Sequence, residues 1–184
     1  MKMTMRFVVM LVLGLVWAMP ASAQSSSQLP VPGYPAAADL PGAHELPDPT
    51  LDYKVVFGIA QGAEDPAAEV NPMLTRLARY VNTLATHGVP VEKRHLVVMF
   101  HQGGANFDIV MSNEAFKARH GKDNPNIELI RDLTKAGVEF RACGQGLLAR
   151  KIDASQMNPD IQVDLWAMTS ILNLQMRGYA RFGS

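Results

Sequence analysis

Short apolar runs alternate with helical patterns along most of this chain, and this alternation constrains its fold more than any other feature. Tyr53–Ala60 and Leu96–Phe100 are almost continuously apolar, as strands are when both faces of a sheet are buried, and Val138–Ala142 is a shorter run that is apolar apart from Glu139 and Arg141. Residues 71–88 and 124–137 lie between these runs and carry apolar side chains at helical spacing. The sequence therefore predicts an α/β fold in which a mainly parallel sheet lies between two layers of helices.

Asparagine–proline pairs predict the starts of two helices. Asn71 and Asn124 are suitable N-caps, and each is followed by a proline, which is favoured at the first helical position. Gly88 and Gly137 are placed to end the same helices, because glycine readily adopts the backbone conformation of a helix C-terminus.

The remaining predicted elements are shorter. One helix is predicted between Ser112 and Gly121. Another runs from Met168 to Arg177, with its packed face built on Met168, Ile171, Leu172 and Gln175. Ile161–Leu165 and Tyr179–Phe182 predict two more strands, the first with Ile161, Val163 and Leu165 on one face. The expected domain is a three-layer α/β/α sandwich around a five-stranded sheet.

The N-terminal residues have the pattern of a secretory signal peptide. Lys2 and Arg6 precede an apolar run at residues 7–19, which is too short to span a membrane, and a small-residue cleavage site ends at Ala23. We expect residues 1–23 to be removed, giving a periplasmic or secreted chain without a membrane span; the alternative is an uncleaved anchor. Residues 24–50, rich in serine and proline, are expected to be a mobile leader before the domain at 51–184.

Charge and histidine spacing exclude several kinds of partner. The 17 basic and 17 acidic residues become 15 and 17 once Lys2 and Arg6 leave with the signal, a net charge of −2. Because no basic patch is present, nucleic-acid binding is not expected. His87, His95 and His120 lack the spacing of metal ligands, so no metal is predicted, and no cofactor is predicted either.

Cys143 is the only cysteine of the chain and the first candidate for chemistry. It follows the predicted strand at 138–142 and precedes a short, glycine-started helix at 144–151. Backbone N–H groups and the positive end of the dipole at a helix start favour the thiolate, the nucleophilic form of sulfur. An odd cysteine in an exported protein indicates a free reactive thiol or an intermolecular bridge. The alternative interpretation is a buried, inert side chain.

Several other candidate residues follow the predicted strands. Ligands of an open parallel sheet bind beyond the carboxyl ends of its strands, where His101, Cys143 and Trp166 are expected to meet. His101 would stabilise a thiolate or relay a proton, unless it only caps its strand. The backbone N–H groups of Gly103 and Gly104 would bind an anionic ligand, unless these glycines form an ordinary turn. The candidate ligand-binding residues are Gln102, Gly103, Gly104, Gly144 and Gln145.

Common enzyme classes find little support in the sequence. A nucleophile-elbow motif is missing, which argues against a serine hydrolase, and there is no dinucleotide fingerprint of a dehydrogenase. A disulfide oxidoreductase would normally need a second, resolving cysteine. The sequence therefore gives no support to a hydrolase or a dehydrogenase.

The predicted domain resembles the DsrE/DsrF-like family of small sulfur-relay proteins from Tyr53 to Phe182. The resemblance rests on the order and spacing of several segments rather than on any one motif. These segments are Val98-Met99-Phe100-His101-Gln102-Gly103-Gly104-Ala105, Asn124-Pro125-Asn126, Ala136-Gly137-Val138, Ala142-Cys143-Gly144-Gln145, and Leu174-Gln175-Met176-Arg177-Gly178-Tyr179-Ala180.

The resemblance implies a function as well as a fold. Relay members of the family assemble as trimers or hexamers, and one cysteine accepts sulfur as a persulfide and passes it to another protein. Cys143 matches the place of that cysteine, so the resemblance implies that the protein, if it is an enzyme, catalyses sulfur transfer. The familiar relay partners are cytoplasmic, whereas this chain is expected to be exported, so the resemblance does not identify its sulfur donor or acceptor.

Two functions from different classes therefore follow. The first is an exported persulfide carrier acting through Cys143, with His101 nearby. The second is a non-catalytic oligomeric module that binds a small ligand or a partner protein at the strand-end pocket.

Overall fold

A computed structural model describes residues 29–101 and 104–183 of this protein. Five strands form one sheet in the order β4-β3-β2-β1-β5, and every neighbouring pair is parallel. The strands are β1 (Tyr53–Ile59), β2 (Arg94–Phe100), β3 (Val138–Cys143), β4 (Ile161–Asp164) and β5 (Ala180–Phe182). The predicted five-stranded sheet is confirmed.

Five α-helices complete a three-layer α/β/α sandwich, as predicted. They are α1 (Pro72–Thr86), α2 (Asn113–His120), α3 (Ile127–Lys135), α4 (Gly144–Arg150) and α5 (Ala167–Met176). Short 3-10 helices cover Val91–Lys93, Gly104–Val110 and Ala154–Gln156. Helices α1 and α3 contact each other, whereas α5 contacts β2 and β5.

The asparagine–proline pairs have different outcomes. Asn71 caps α1 as predicted, since its side chain accepts a hydrogen bond from the Met73 N–H at 2.9 Å. The predicted N-cap of α3 at Asn124 is displaced, because α3 begins at Ile127 with Asn126 at its N-cap position. The Asn124 side chain still accepts from the Asn126 N–H at 3.0 Å, and its buried amide also donates to the carbonyl oxygens of Ile109 and Met111, both at 3.1 Å. The side chain therefore shapes the turn before α3 and fixes that turn to the preceding segment.

Part of the segment at residues 29–50, for which the sequence predicts a mobile leader, packs against α1. Asn82, buried in the middle of α1, accepts from the Val31 N–H at 2.9 Å. Its amide also donates to the carbonyl oxygens of Val31 and Tyr34, at 2.8 and 2.6 Å. Val31 is fully buried in the core, and Thr83 accepts from the Ala37 N–H at 2.8 Å. A buried polar residue on the helix thus fixes the extended segment to the domain.

None of the helices in the described ranges has both the length and the apolar character needed to cross a bilayer. The predicted signal peptide lies outside the described residues.

Candidate functional site

Cys143 is the last residue of β3 and the N-cap of α4. In the ladder between β2 and β3, Phe100 is opposite Ala142, so the next pair along the sheet is His101 and Cys143. On the other side, Cys143 is opposite Asp164 of β4. The thiol therefore lies at the carboxyl edge of the sheet, between the ends of two neighbouring strands, as the sequence predicts.

His101 and Cys143 point to the same face of the sheet. The rings of Phe100 and Phe140 stack on one face, with their centroids 5.9 Å apart. Because successive side chains in a strand alternate between faces, His101 and Cys143 both project from the opposite face. His101 also continues the ladder to β1, since its N–H donates to the carbonyl oxygen of Ile59 at 3.1 Å. Both side chains are buried and border the same cavity.

The start of α5 supplies a hydrogen-bond donor to the sulfur. The backbone N–H of Ala167, the first residue of α5, donates to Sγ of Cys143 at 3.4 Å. This N–H belongs to the first turn of the helix, where backbone donors have no partner inside the helix and the dipole is positive. A donor in this position can stabilise negative charge that develops on the sulfur during a reaction.

Two glycines of α4 allow the surrounding elements to approach closely. A Cβ on Gly144 would lie 2.8 Å from the carbonyl oxygen of Asp164, a contact that real Cβ atoms essentially never make. A Cβ on Gly146 would lie 2.8 Å from the ring of Phe107. Gly144 therefore admits the end of β4 beside Cys143, and Gly146 admits the aromatic ring of the 3-10 helix.

Ion pairs hold the segments that border the site. Arg141 of β3 binds Asp164 at 3.4 Å and Glu139 at 2.7 Å, which ties the ends of β3 and β4 together. Asp108 in the 3-10 helix is buried and accepts from Arg119 at 3.0 Å and from His120 at 2.9 Å. The second cluster anchors the segment that carries Phe107.

A cavity of about 480 Å³ opens above the sulfur, between the sheet edge and α5. This volume falls in the range of small-molecule sites. Among the described residues, its walls carry no carboxylate, and the ionisable side chains besides Cys143 are His101 and Arg181. The lining residues are His101, Cys143, Gln145, Gly146, Trp166, Ala167, Met168, Ile171, Leu172, Gln175 and Arg181.

The structure brings together some of the predicted site residues and leaves others apart. His101, Cys143, Gln145 and Trp166 border the cavity, whereas Gly144 is not in its wall and lies against the carbonyl oxygen of Asp164. Gly104 begins the 3-10 helix, whereas Gln102 and Gly103 lie outside the described residues.

Sequence reasoning missed two features of the site. Arg181 belongs to the last strand, and only the position of that strand beside β1 brings its side chain to the cavity. Met168 and Leu172 were expected to pack in the core, but both are about half exposed and form part of the cavity wall. The linear pattern shows neither the position of β5 in the sheet nor which side of α5 is exposed.

The geometry is that of a buried thiol in the wall of a ligand-sized cavity. Within residues 29–101 and 104–183, no three histidine, cysteine, aspartate or glutamate side chains gather as a metal site requires. The cavity therefore offers a thiol with a backbone donor on it, a neighbouring imidazole and apolar walls.

Comparisons with known proteins identify the family to which the chain belongs. A search of curated proteins finds no significant match. Among solved structures, the chain is similar to a protein of unknown function from Methanobacterium thermoautotrophicum, with 20% identity and a TM-score of 0.49. That similarity covers 72% of this chain and 100% of the other. The model of the DsrE/DsrF-like family matches residues 54–182. This range includes every helix that the structure describes and all of the sheet except Tyr53. On this evidence the chain belongs to the DsrE/DsrF-like family.

Proposed function

We propose that this protein is an exported sulfur carrier that holds sulfur as a persulfide on Cys143. The observation that carries the proposal is the placement of the only cysteine in the ligand-sized cavity, with the Ala167 N–H donating to its sulfur. Membership of the DsrE/DsrF-like family supports a sulfur-relay type of protein at the level of the family.

The chemistry needs only one cysteine. The thiolate of Cys143 attacks the outer sulfur of a donor persulfide, and a new S–S bond forms as the donor S–S bond breaks. The donor leaves as a thiolate and Cys143 becomes Cys–S–SH. An acceptor thiolate then attacks the outer sulfur in the same way, which restores Cys143. His101 is placed beside the sulfur to hold or release a proton during these steps.

Intact-protein mass spectrometry after treatment with polysulfide tests the carrier function. We expect the folded wild-type domain to gain about 32 Da, one sulfur atom, and to lose it again with dithiothreitol. The Cys143→Ser variant is the matched control and should gain nothing. An equal gain on that variant, or no gain on the wild type, rejects the proposal.

Export is a further part of the proposal, supported by the signal-peptide pattern at residues 1–23. N-terminal sequencing of the protein expressed from its full-length gene should give a mature chain that starts near Gln24. Retention of Met1 in a membrane fraction would instead indicate an uncleaved anchor.

We also propose that the protein is a homo-oligomer, a trimer or a hexamer. Met168, Leu172 and Met176 are exposed and recur every four residues, which places them in a stripe along one face of α5. Exposed apolar surface of this kind marks interaction sites. Light scattering should show that Met176→Glu reduces the oligomer, whereas Asn173→Glu, an exposed change on the same helix, does not. A monomeric wild-type protein would contradict the proposal.

The burial of Cys143 favours a second candidate, the non-catalytic binding module. The residue is only 6% exposed, as expected for a cysteine that packs in a cavity wall. This function predicts that polysulfide adds sulfur to the urea-unfolded chain but not to the folded one. The mass measurement on both states therefore separates the two candidates.

A further inference from the structure

The cavity beside Cys143 is an elongated groove. Its α5 wall runs from Trp166 at the start of the helix to Gln175 near the end, a separation of nine residues. At about 1.5 Å of rise per residue, this wall is roughly 13 Å long. Cys143 contacts the helix at Ala167, so the sulfur lies at one end of the groove.

Arg181 lies towards the other end of the groove. It belongs to β5, which follows the C-terminal end of α5 and is separated from β3 by β1 and β2. The amide side chain of Gln175 borders the same end. A ligand that touches both Cys143 and Arg181 must therefore extend along the groove. An extended peptide of three to four residues, at about 3.5 Å each, has the matching length.

The charge of the groove selects an anionic ligand. No aspartate or glutamate is among the described residues of its wall, and His101 and Arg181 are its basic side chains. Within residues 29–101 and 104–183, no carboxylate lies within 4.0 Å of Arg181. Arginine binds carboxylates through paired N–H donors in a fixed geometry, so the groove has a recognition group whose counter-ion is not supplied by the described chain.

We propose that the sulfur donor or acceptor of this protein is a low-molecular-weight thiol of tripeptide size that carries a carboxylate. Its sulfur meets Cys143, its carboxylate binds Arg181, and its body lies against Trp166 and the exposed side of α5. This inference rests on the proposed carrier function and specifies its substrate class. The mostly apolar walls with a few polar groups at the ends are typical of small-molecule sites.

The transfer step conserves atoms and charge. The Cys143 thiolate attacks the outer sulfur of R–S–SH, the S–S bond between the two donor sulfurs breaks, and Cys143–S–SH forms. The electron pair of the broken bond leaves on R–S⁻, which takes a proton from solvent. One S–S bond replaces another, so the step needs no external oxidant or reductant.

Loading kinetics with glutathione persulfide and its dimethyl ester test the proposal. Both probes present the same sulfur, but only the first has free carboxylates. We expect the ester to need an about tenfold higher concentration for half-maximal loading of the wild type, with an unchanged maximal rate. Arg181→Gln should cause the same increase for glutathione persulfide and no further increase for the ester, because the two changes remove the same contact.

Arg177→Gln is the matched control, since Arg177 is an exposed arginine at the end of α5 outside the cavity wall. It should leave both probes within about twofold of the wild type. Equal loading by acid and ester, or equal effects of the two arginine substitutions, overturns the substrate class and leaves the carrier function standing.

A binding measurement separates the failure of this inference from the failure of the carrier function. S-Methylglutathione cannot donate sulfur, and its binding is measured by the fluorescence of Trp166, the only tryptophan after residue 23. If Cys143 accepts sulfur from no donor, the carrier function fails. Weaker binding of S-methylglutathione by Arg181→Gln than by Arg177→Gln would then still support the anion site, and no binding to the wild type would overturn it.

Discussion

Substitution of Gly144 by alanine tests whether the end of β4 must approach the backbone beside Cys143. The added Cβ would lie 2.8 Å from the Asp164 carbonyl oxygen, and ordinary contacts begin at 3.4 Å, so the end of β4 must retreat by 0.6 Å. Overpacking of this kind costs about 1–3 kcal/mol. Alanine is up to about 1 kcal/mol better than glycine in a helix, which offsets part of this cost. The expected net loss of unfolding free energy is about 1–2 kcal/mol.

The same displacement should reach the sulfur. Ala167 follows Asp164 by three residues, and a retreat of this segment lengthens the 3.4 Å contact between its N–H and Sγ. We therefore expect Gly144→Ala to slow the alkylation of Cys143 at neutral pH, because the sulfur loses part of the contact with its backbone donor.

Urea unfolding followed by Trp166 fluorescence measures the first effect, and the iodoacetamide rate measures the second. At about 2–4 °C per kcal/mol for a domain of this size, the Tm should fall by about 2–8 °C. Leu148→Ala is the control, since this side chain is on the same helix and is exposed; it should change stability by less than about 0.5 kcal/mol. If Gly144→Ala matches this control in both measurements, the close approach of β4 is unimportant and the reasoning is refuted.

Three further predictions concern other parts of the fold. Asn82→Ala removes three hydrogen bonds to residues 31 and 34, so it should lower the free energy of unfolding by about 3 kcal/mol. It should also speed proteolysis within residues 29–50, and an unchanged digestion rate would contradict the packing of this segment. Asp108→Asn weakens the contacts with Arg119 and His120 and should lower the free energy of unfolding in urea by about 2–3 kcal/mol. A loss below about 0.5 kcal/mol would show that Asp108 does not anchor the 3-10 helix. Hydrogen bonds from the backbone and hydroxyl of Ser155 lower the pKa of Asp153. Their contribution to stability is therefore complete at pH values above the ordinary carboxyl pKa and is lost as the pH falls through the lowered pKa. Ser155→Ala should return the pKa of Asp153 part of the way in an NMR titration, and an unchanged pKa would exclude the hydroxyl contribution.

The sequence predicts the centre of the sheet well because β1 and β2 carry apolar runs that are largely buried. Val56 and Val98, for example, are completely buried, and continuous apolar runs of this kind leave few alternatives to a central strand. The helix limits at Ser112 and Gly121 are also confirmed, since Ser112 accepts from the Ala115 N–H at 3.2 Å and Gly121 has a φ of 71°. Local chemistry decides these positions, and a local pattern can therefore find them.

The edge strand and the leader were harder to predict. Val163 and Leu165 were expected to share a packed face with Ile161, but only Ile161 is buried, and Leu165 is 78% exposed. Apolar spacing in a chain does not distinguish a core face from an exposed one. The leader was missed for the opposite reason, since Asn82 is a polar residue in a helical pattern and nothing local shows that it is buried against Val31.

The candidate site was predicted in its centre and missed at its far end. Cys143 and His101 follow adjacent strands, so the rule that ligands bind at the carboxyl edge of a parallel sheet places them together. Arg181 lies within β5 rather than after a strand, and it reaches the cavity only because β5 returns beside β1 after α5. Tertiary packing determines where β5 joins the sheet, and the linear pattern does not contain that information.

The rate of Cys143 alkylation by iodoacetamide at pH 7 tests the central claim most directly, when it is measured on the folded domain and on the same chain unfolded in urea. The account predicts that the folded protein reacts faster, because the Ala167 N–H donates to the sulfur and the cavity admits a small reagent. A folded protein that reacts at least tenfold more slowly than the unfolded chain would contradict it, since Cys143 would then be a packed side chain rather than a nucleophile.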